Sequence, residues 1–219
     1  MSPRPKAQDR EPLTRESILG TAVEIVDREG LDALTMRRLA AEFDVEAMAL
    51  YYHFPNKQAI LDGVVDTIVG SSVDPAMLAG SMDWRDMMRS GILGVRQALL
   101  AHPNAVPLVT TRTAKSPGAA GWAEGPLQIL HGAGLRGRSL ATAYHMLVSY
   151  SLGWHLFAGD ASTSIWHDGV GDVSENDVPA LTATLAADLA DWNDGFEEGL
   201  DIVLDGIGRM IDTRNGSEA

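Results

Sequence analysis

Apolar residues recur at intervals of three and four along most of the chain, which is the spacing of amphipathic helices. Ile18, Ile25 and Val26 belong to the first such run. Thr14 can cap the start of this helix and Gly30 can end it, because glycine readily adopts the left-handed conformation that terminates helices. No segment alternates convincingly with period two. The pattern therefore predicts an all-α fold.

Two short helices follow, and the pattern predicts them over Thr35–Phe43, where Thr35 is a good N-cap, and over Glu46–His53. Asp44 tolerates the geometry of a tight turn between them, and Asn56 can cap a further helix that begins near Lys57. This length and spacing are typical of a helix-turn-helix, in which the second helix enters the major groove of DNA. A helical hairpin in any α-bundle would also fit the spacing.

The side chains of the second short helix favour a DNA-binding helix-turn-helix over a plain helical hairpin. Tyr51, Tyr52 and His53 cluster at its end, and core packing explains only one of them, whereas exposed tyrosine and histidine can bind phosphates and bases. Lys57 lies in the first turn of the next predicted helix, where the positive end of the helix dipole repels its charge. A bound phosphate would turn this unfavourable position into a favourable one. Asn56 and Lys57 together therefore describe an anion site, and the alternative is a solvated surface lysine.

A stretch rich in Gly, Ser and Pro over residues 70–83 marks a soft boundary. We predict a flexible arm over residues 1–12, a three-helix DNA-binding domain over 13–70, and a larger helical domain over 71–219. The predicted helices of the larger domain are Trp84–Ala101, Pro107–Thr113, Gly121–Gly132, Ser139–Ala158, Pro179–Trp192 and Asn193–Ile211.

Two segments have open interpretations. The arm carries Arg4, Lys6 and Arg10, so it could touch DNA, or it could be a solvated tail with no role. Residues 159–178 are rich in Gly, Asp and Ser, so they could gate a pocket or form a plain connection.

Composition narrows the class of protein. The chain has no cysteine, which excludes thiol chemistry and disulfides. Its beginning lacks the apolar segment of a signal peptide, and no apolar run approaches the ~20 residues of a membrane span, so we expect a cytoplasmic protein. The net charge is −13, which disfavours nonspecific adhesion to DNA. Residues 1–57 carry 8 basic and 10 acidic side chains, so a small basic face of Arg37, Arg38 and Lys57 is still possible.

No catalytic sequence motif supports an enzymatic function for this chain. The larger domain holds five histidines among many carboxylates, at positions His102, His131, His145, His155 and His167. The chain has no Gly-x-Ser-x-Gly elbow, no His-Glu-x-x-His motif and no phosphate loop. We therefore expect neither an enzyme nor a bound cofactor or metal ion.

The segment LTMRRLAAEFDVEAMALYYHFPNKQAILD, residues 34–62, resembles the DNA-binding domain of the tetracycline-repressor (TetR) family. The DNA contacts that this resemblance implies are Thr35, Met36, Arg37, Ala47, Met48, Ala49, Tyr51, His53 and Lys57. Tyr52 joins the predicted DNA contacts because of its place at the end of the second short helix. The chain departs from the family pattern at Asp44, where glycine is usual, and at Ala47–Ala49, which makes the base-reading face apolar. Thymine methyl contacts and DNA shape would then supply much of the specificity.

The rest of the chain resembles the ligand-binding and dimerisation domain of the tetracycline repressors, more faintly. The cues are WRD at 84–86, ALLAHP at 98–103, Arg112, GAGL at 132–135, SLG at 151–153 and the final FEEGLDIVLDGI. Drug-binding members hold a magnesium ion with a histidine and a glutamate. Leu108 and Phe157 stand at the positions that match, so we expect neither tetracycline nor a metal ion.

The remaining pocket candidates are mostly apolar and aromatic, so the resemblance implies a small, largely apolar effector. They are Met87, Met88, Val95, Leu108, Trp122, Leu127, Leu130, Tyr144, Val148 and Trp154. Core packing is the alternative explanation for each of them.

The last helix places Phe196, Leu200, Leu204 and Ile207 on one face. Together with Ser139–Ala158 it could form half of a four-helix bundle across a two-fold axis, or it could pack within one chain. Our leading hypothesis is a homodimeric repressor that binds palindromic operator DNA and is released by its effector. The alternative is a helical adaptor that has lost specific DNA binding, which the apolar reading face would support.

Overall fold

The computed structural model describes residues 13–70, 82–112, 119–158, 177–180, 184 and 192–215. All regular secondary structure in these ranges is helical, which confirms the predicted all-α fold. Two 3-10 turns, Leu31–Ala33 and Pro103–Ala105, accompany the α-helices. The α-helices are α1 (Arg15–Glu29), α2 (Met36–Glu42), α3 (Ala47–His53), α4 (Lys57–Gly70), α5 (Trp84–Ala101), α6 (Val106–Arg112), α7 (Ala119–Gly132), α8 (Gly137–Ala158) and α9 (Trp192–Asn215).

Local capping sets the ends of the first helices. Thr14 Oγ1 accepts a hydrogen bond from the backbone N–H of Ser17 at 3.1 Å, and Ser17 Oγ accepts one from the N–H of Thr14 at 3.0 Å. This reciprocal pair satisfies two N–H groups at the start of α1. Gly30 ends α1 with φ 85°, and Thr35 caps α2 by accepting from the N–H of Arg38 at 3.0 Å. The three predicted caps are confirmed.

Helix boundaries in the second half agree with the sequence pattern to within two residues where the structure describes them, except that the last helix continues four residues past its predicted end, to Asn215. The segment α5 has the predicted ends, whereas α7 and α8 each begin two residues early and α9 begins at Trp192. Most of the predicted helix Pro179–Trp192 lies outside the described residues. The arm at 1–12 and residues 159–176 of the predicted loop also lie outside them.

The described residues divide into two compact units. The first contains residues 13–70, 97–112 and 119–122, and the second contains 82–96, 123–158, 177–180, 184 and 192–215. The sequence assigned residues 97–122 to the second domain, whereas 97–112 and 119–122 belong with the N-terminal helices in the structure. The functional boundary at residue 70 stays a prediction.

The N-terminal unit is built around apolar side chains from α1 to α4. Those exposed by 1% or less are Ile18, Ala22, Ile25, Val26, Leu34, Leu39, Leu50, Phe54, Ile60, Val64, Val65 and Ile68. Helix α1 approaches α4 closely at Gly63, where a Cβ atom would lie 2.5 Å from the side chain of Leu19. Glycine at this position therefore permits the tight packing that supports the two short helices.

The C-terminal unit buries the apolar face of α9 against α5, α7 and α8. Its core consists of Met88, Leu130, Leu135, Ala143, Leu147, Phe196, Leu200, Leu204, Ile207 and Ile211. The polar side of α9 is bound to α5 by ion pairs, in which Arg89 lies 2.8 Å from Glu197 and 3.2 Å from Asp201. The predicted apolar face of the last helix is thus buried within its own unit. None of the helices described is long and apolar enough to cross a membrane.

Candidate nucleic-acid interface and effector site

A tight turn joins α2 to α3. Asp44 lies at its centre with φ 53°, in the left-handed region. The N–H of Asp44 donates to the carbonyl of Ala41 and the N–H of Val45 to that of Ala40, both at 3.2 Å. Aspartate is one of the few residues other than glycine that visit this conformation routinely. The turn therefore closes without the usual glycine, as the sequence predicts.

Helix α3 is anchored by one side chain and exposes several others. Leu50 is fully buried, whereas Met48, Tyr51 and Tyr52 are 72%, 44% and 89% exposed. The remaining predicted contacts on this helix, Ala47, Ala49 and His53, are half-buried. Large apolar side chains on a seven-residue helix contribute little to folding when they face water, so a partner surface is their best physical explanation.

The other predicted DNA contacts lie at two helix starts. Thr35 and Arg37 are exposed at the start of α2, with Met36 half-buried between them, and Lys57 is exposed in the first turn of α4. At the latter site Asn56 Oδ1 already accepts from the N–H of Ala59 at 2.9 Å. The predicted anion site is therefore partly filled by the chain's own side chain.

Arg38 has a different role from the one expected. Its guanidinium lies 2.7 Å from Glu29 and also binds Glu42, and Arg28 lies 2.8 Å and 3.1 Å from the same two carboxylates. Hydrogen bonds from Arg38 and then Arg28 lower the pKa of Glu29 to about 2. Arg38 is thus held by acidic partners, so the basic face that was possible for Arg37, Arg38 and Lys57 does not include it.

Arg15 is a residue that sequence reasoning missed. Its guanidinium, on α1, donates to the carbonyl of His53 and stands 4.1 Å from the centroid of the Phe54 ring. A cation at the C-terminal end of a helix stabilises the free carbonyl groups there. Arg15 therefore fixes the end of α3 from which Tyr52 and His53 project.

The ten candidate effector residues do not fall in one unit. Leu108 and Trp122 belong to the N-terminal unit, where Leu108 is buried. Met88 and Leu130 form part of the C-terminal core, and Tyr144 and Trp154 pack against it. The half-buried candidates are Met87, Val95, Leu127 and Val148.

The magnesium site that the resemblance suggests does not fit this chain. Leu108, at the position of the expected histidine, is 2% exposed and offers no donor atom. A divalent cation needs oxygen or nitrogen ligands. Leu108 therefore cannot replace the histidine as a metal ligand.

An open groove of about 560 Å³ lies at the start of α8. It is lined by Arg136, Gly137, Arg138, Ser139, Thr142 and Met210. None of the ten candidate residues belongs to this lining, so the groove is distinct from the predicted effector site.

Aromatic rings cluster where α8 meets α9. Phe196 lies 5.2 Å from Tyr150 and 5.6 Å from Trp154 between ring centroids, and the Tyr150 hydroxyl donates to the carbonyl of Phe196 at 2.7 Å. At Gly199 a Cβ atom would clash with the Tyr150 hydroxyl. The glycine therefore admits Tyr150 against the α9 backbone.

The chain combines a helix-turn-helix, whose second helix exposes apolar and tyrosine side chains, with a helical unit that has an aromatic core. This combination is typical of DNA-binding transcriptional regulators. The chain belongs to the TetR family. Residues 18–64 match the family described as bacterial regulatory proteins, tetR family, and residues 78–211 match the tetracyclin repressor-like C-terminal domain.

Individual relatives cover nearly the whole chain. An HTH-type transcriptional regulator of Saccharopolyspora erythraea is 31% identical over 93% of this chain and 89% of its own length. ActR of Streptomyces coelicolor in complex with actinorhodin has a TM-score of 0.73 and 26% identity, covering 92% of this chain and 99% of that one. BioQ with its double-stranded DNA operator has a TM-score of 0.59 and 27% identity, covering 80% and 99%.

Proposed function

We propose that this protein is a ligand-responsive transcriptional repressor, and not an enzyme, which binds a palindromic operator as a homodimer and is released by a small, largely apolar effector. Family membership supports the general role. The operator complex of BioQ and the actinorhodin complex of ActR support its two halves, DNA binding and effector binding. The proposal assigns DNA binding to residues 13–70, and effector binding and dimerisation to 71–219.

The exposure of α3 carries the DNA-binding half of the proposal. Met48 and Tyr52 project from a helix that Leu50 anchors, in the position of a helix that enters the major groove. There Met48 contacts thymine methyl groups, and the tyrosine hydroxyl binds a phosphate or a base edge. Arg37 and Lys57 contribute phosphate contacts on either side.

A second copy of the chain supplies the other DNA-reading helix, its own α3. Met146 and Leu156 on α8 and Ile202 on α9 are large apolar side chains that are more than half exposed. In an isologous dimer the same helices of two copies pack together and cover such residues. Two-fold symmetry then places the two α3 helices to read half-sites spaced by ~34 Å, one turn of DNA.

Effector binding within residues 71–219 releases the operator by changing the separation of the two α3 helices. The effector acts because it binds the DNA-incompatible arrangement more tightly than the DNA-compatible one. A coupling free energy of ~1–3 kcal/mol changes operator affinity about 5–150-fold. No further chemistry is required of the protein.

Selection of bound sites from a random duplex library tests the proposal. A sequence-specific dimer enriches a palindrome of roughly 15 base pairs. Tyr52→Ala should abolish the enrichment without lowering thermal stability. The control is Leu100→Ala, which removes an apolar side chain of α5 that is 57% exposed and should leave the selected sequence unchanged. Failure of the wild-type protein to enrich any sequence, with and without cell extract as a source of effector, would favour the adaptor.

A further inference from the structure

Met48 exposes its thioether to solvent on α3, the helix that the proposed function places in the major groove. It is 72% exposed, more than any other methionine among the described residues. Met146 is 52% exposed but lies on the face of α8 that we assign to the second copy, and Met88 is 3% exposed. The remaining described methionines are half-buried, and these are Met36, Met82, Met87 and Met210. A dissolved oxidant therefore meets the sulfur of Met48 first.

Sulfur oxidation in this chain is confined to methionine, because the chain has no cysteine. A reactive thiolate is oxidised more readily than a thioether and would consume the oxidant first. Without a thiol in the chain, an exposed methionine is the position at which an oxidant of sulfur acts.

The neighbours of Met48 on α3 leave its sulfur uncovered. Ala47 and Ala49 flank it and carry only one methyl group each. Tyr51 and Tyr52 follow three and four residues later, so they share its face of the helix, and they are 44% and 89% exposed. The face formed by Met48 and the two tyrosines is therefore open to solvent when no DNA is bound, and the operator covers it in the complex.

Oxidation of this thioether is a two-electron step that balances with a peroxide as the only co-reactant. The O–O bond of hydrogen peroxide breaks, one oxygen atom forms an S–O bond with the sulfur, and water leaves. Sulfur is oxidised and the peroxide is reduced. Methionine sulfoxide reductases reverse the change, so the modification can be removed again.

The sulfoxide has different consequences in the free protein and in the complex. Met48 faces water in the free protein, so the added oxygen stays hydrated there and the fold loses no contact. On DNA the same polar oxygen is desolvated against thymine methyl groups, where the unmodified side chain made an apolar contact. We expect this loss to weaken operator binding about tenfold.

We propose that Met48 is an oxidation site that controls operator binding: a peroxide converts it to the sulfoxide, and the oxidised protein no longer holds its operator. The proposal rests on the proposed function, because it takes α3 to be the DNA-reading helix. It adds a signal that needs no effector. The effector acts through residues 71–219, whereas oxidation acts on the DNA-contacting surface itself.

Hydrogen peroxide treatment of the purified full-length protein tests the proposal. Peptide mass spectrometry follows each methionine, and operator affinity is measured on the duplex selected by the untreated protein. We expect Met48 to be oxidised before Met88, operator affinity to fall about tenfold as Met48 is converted, and thermal stability to stay constant. Methionine sulfoxide reductase should restore the affinity, and bound operator should protect Met48. Unchanged affinity after full conversion of Met48 overturns the proposal.

Two leucine variants assign the response to one sulfur atom. Because Met48 belongs to the DNA-contacting surface, the readout is the ratio of each variant's own affinities before and after peroxide. Met48→Leu should show no change in affinity on treatment, whereas Met146→Leu should respond like the wild type. Met48→Gln, which places a polar side chain there, should bind about tenfold more weakly without any peroxide. A full peroxide response in Met48→Leu overturns the proposal.

Failure of this proposal is distinguishable from failure of the proposed function. Site selection with untreated protein reports on DNA binding alone. A palindrome that is enriched by the untreated protein and bound unchanged by the oxidised protein contradicts only the oxidation site. A wild-type protein that enriches no sequence contradicts the repressor proposal, and the control of operator binding through Met48 with it.

Discussion

His102 Nδ1 lies 2.8 Å from a carboxylate oxygen of Asp27, so the residue that follows α5 is bound directly to α1. Asn104 reinforces this contact, because its side-chain amide donates to the backbone carbonyl of Asp27 at 2.9 Å. Ala105, in the same 3-10 turn, is fully buried. Within the N-terminal unit, the end of α5 is therefore attached to the helices that support α2 and α3.

Removal of this contact should weaken the N-terminal unit. We expect His102→Ala to lower the free energy of unfolding by about 1 kcal/mol, less than the full value of a charged hydrogen bond because the pair is partly exposed. Urea unfolding followed by circular dichroism measures the change. His131→Ala is the control, since His131 is exposed and contributes its backbone carbonyl to Arg136. An equal loss in both variants would contradict a specific role for the contact.

The ion pairs around Glu29 predict a particular response to acid. Because Arg38 holds the pKa of Glu29 at about 2 against an ordinary value of 4.5, the pair contributes stability above pH 4.5. That contribution is lost as the pH falls from about 4.5 towards 2. Glu29→Gln should flatten the decline of unfolding free energy across this window.

A charge-matched pair of variants isolates the origin of this response. Arg38→Gln breaks the contacts with Glu29 and Glu42, and should flatten the acid decline as Glu29→Gln does. Arg37→Gln removes the same charge from the neighbouring exposed position and should instead weaken operator binding. Identical acid profiles for the two arginine variants would show that net charge, and not the ion pairs, governs the response.

The left-handed turn residue offers a stabilising substitution. Asp44→Gly should raise the free energy of unfolding by about 0.5 kcal/mol, because glycine adopts φ 53° without a Cβ penalty. Asp44→Ala should lower it, because alanine also loses the side chain but keeps the Cβ atom. Thermal and urea unfolding of the two variants measure the difference. If both variants move stability in the same direction, the aspartate side chain matters more than the backbone.

Arg15 should act on DNA binding through the position of α3. We expect Arg15→Ala to weaken operator binding several-fold, since the cation over Phe54 and the contact at the end of α3 contribute ~0.5–1 kcal/mol each. The slope of affinity against salt concentration should not change, because a positioning residue neutralises no phosphate. Arg15→Lys should restore part of the affinity. A slope reduced by about one would reveal a direct phosphate contact instead.

The helix ends were predictable from sequence because capping is local. Thr14, Gly30 and Thr35 each act on groups within four residues along the chain. The unusual turn at Asp44 could be recognised for the same reason, since a single residue type limits the available backbone angles. These local rules were sufficient to place α2 and α3.

The contacts that sequence reasoning missed join distant positions. Arg15 reaches His53 across 38 residues, and Arg38 reaches Glu29 on another helix. Arg89 on α5 reaches Glu197 on α9 across 108 residues. Helix packing, which the hydrophobic period alone does not specify, decides such sites.

The engagement of Arg38 by Glu29 and Glu42 has a consequence for how the protein is distributed in a cell. A DNA-binding domain in which one arginine is paired with internal carboxylates displaces fewer counterions from random duplex DNA. Its nonspecific affinity for the chromosome is correspondingly small. Fewer copies are then sequestered on the many wrong sites that compete with one operator. A low copy number is sufficient to keep that operator occupied.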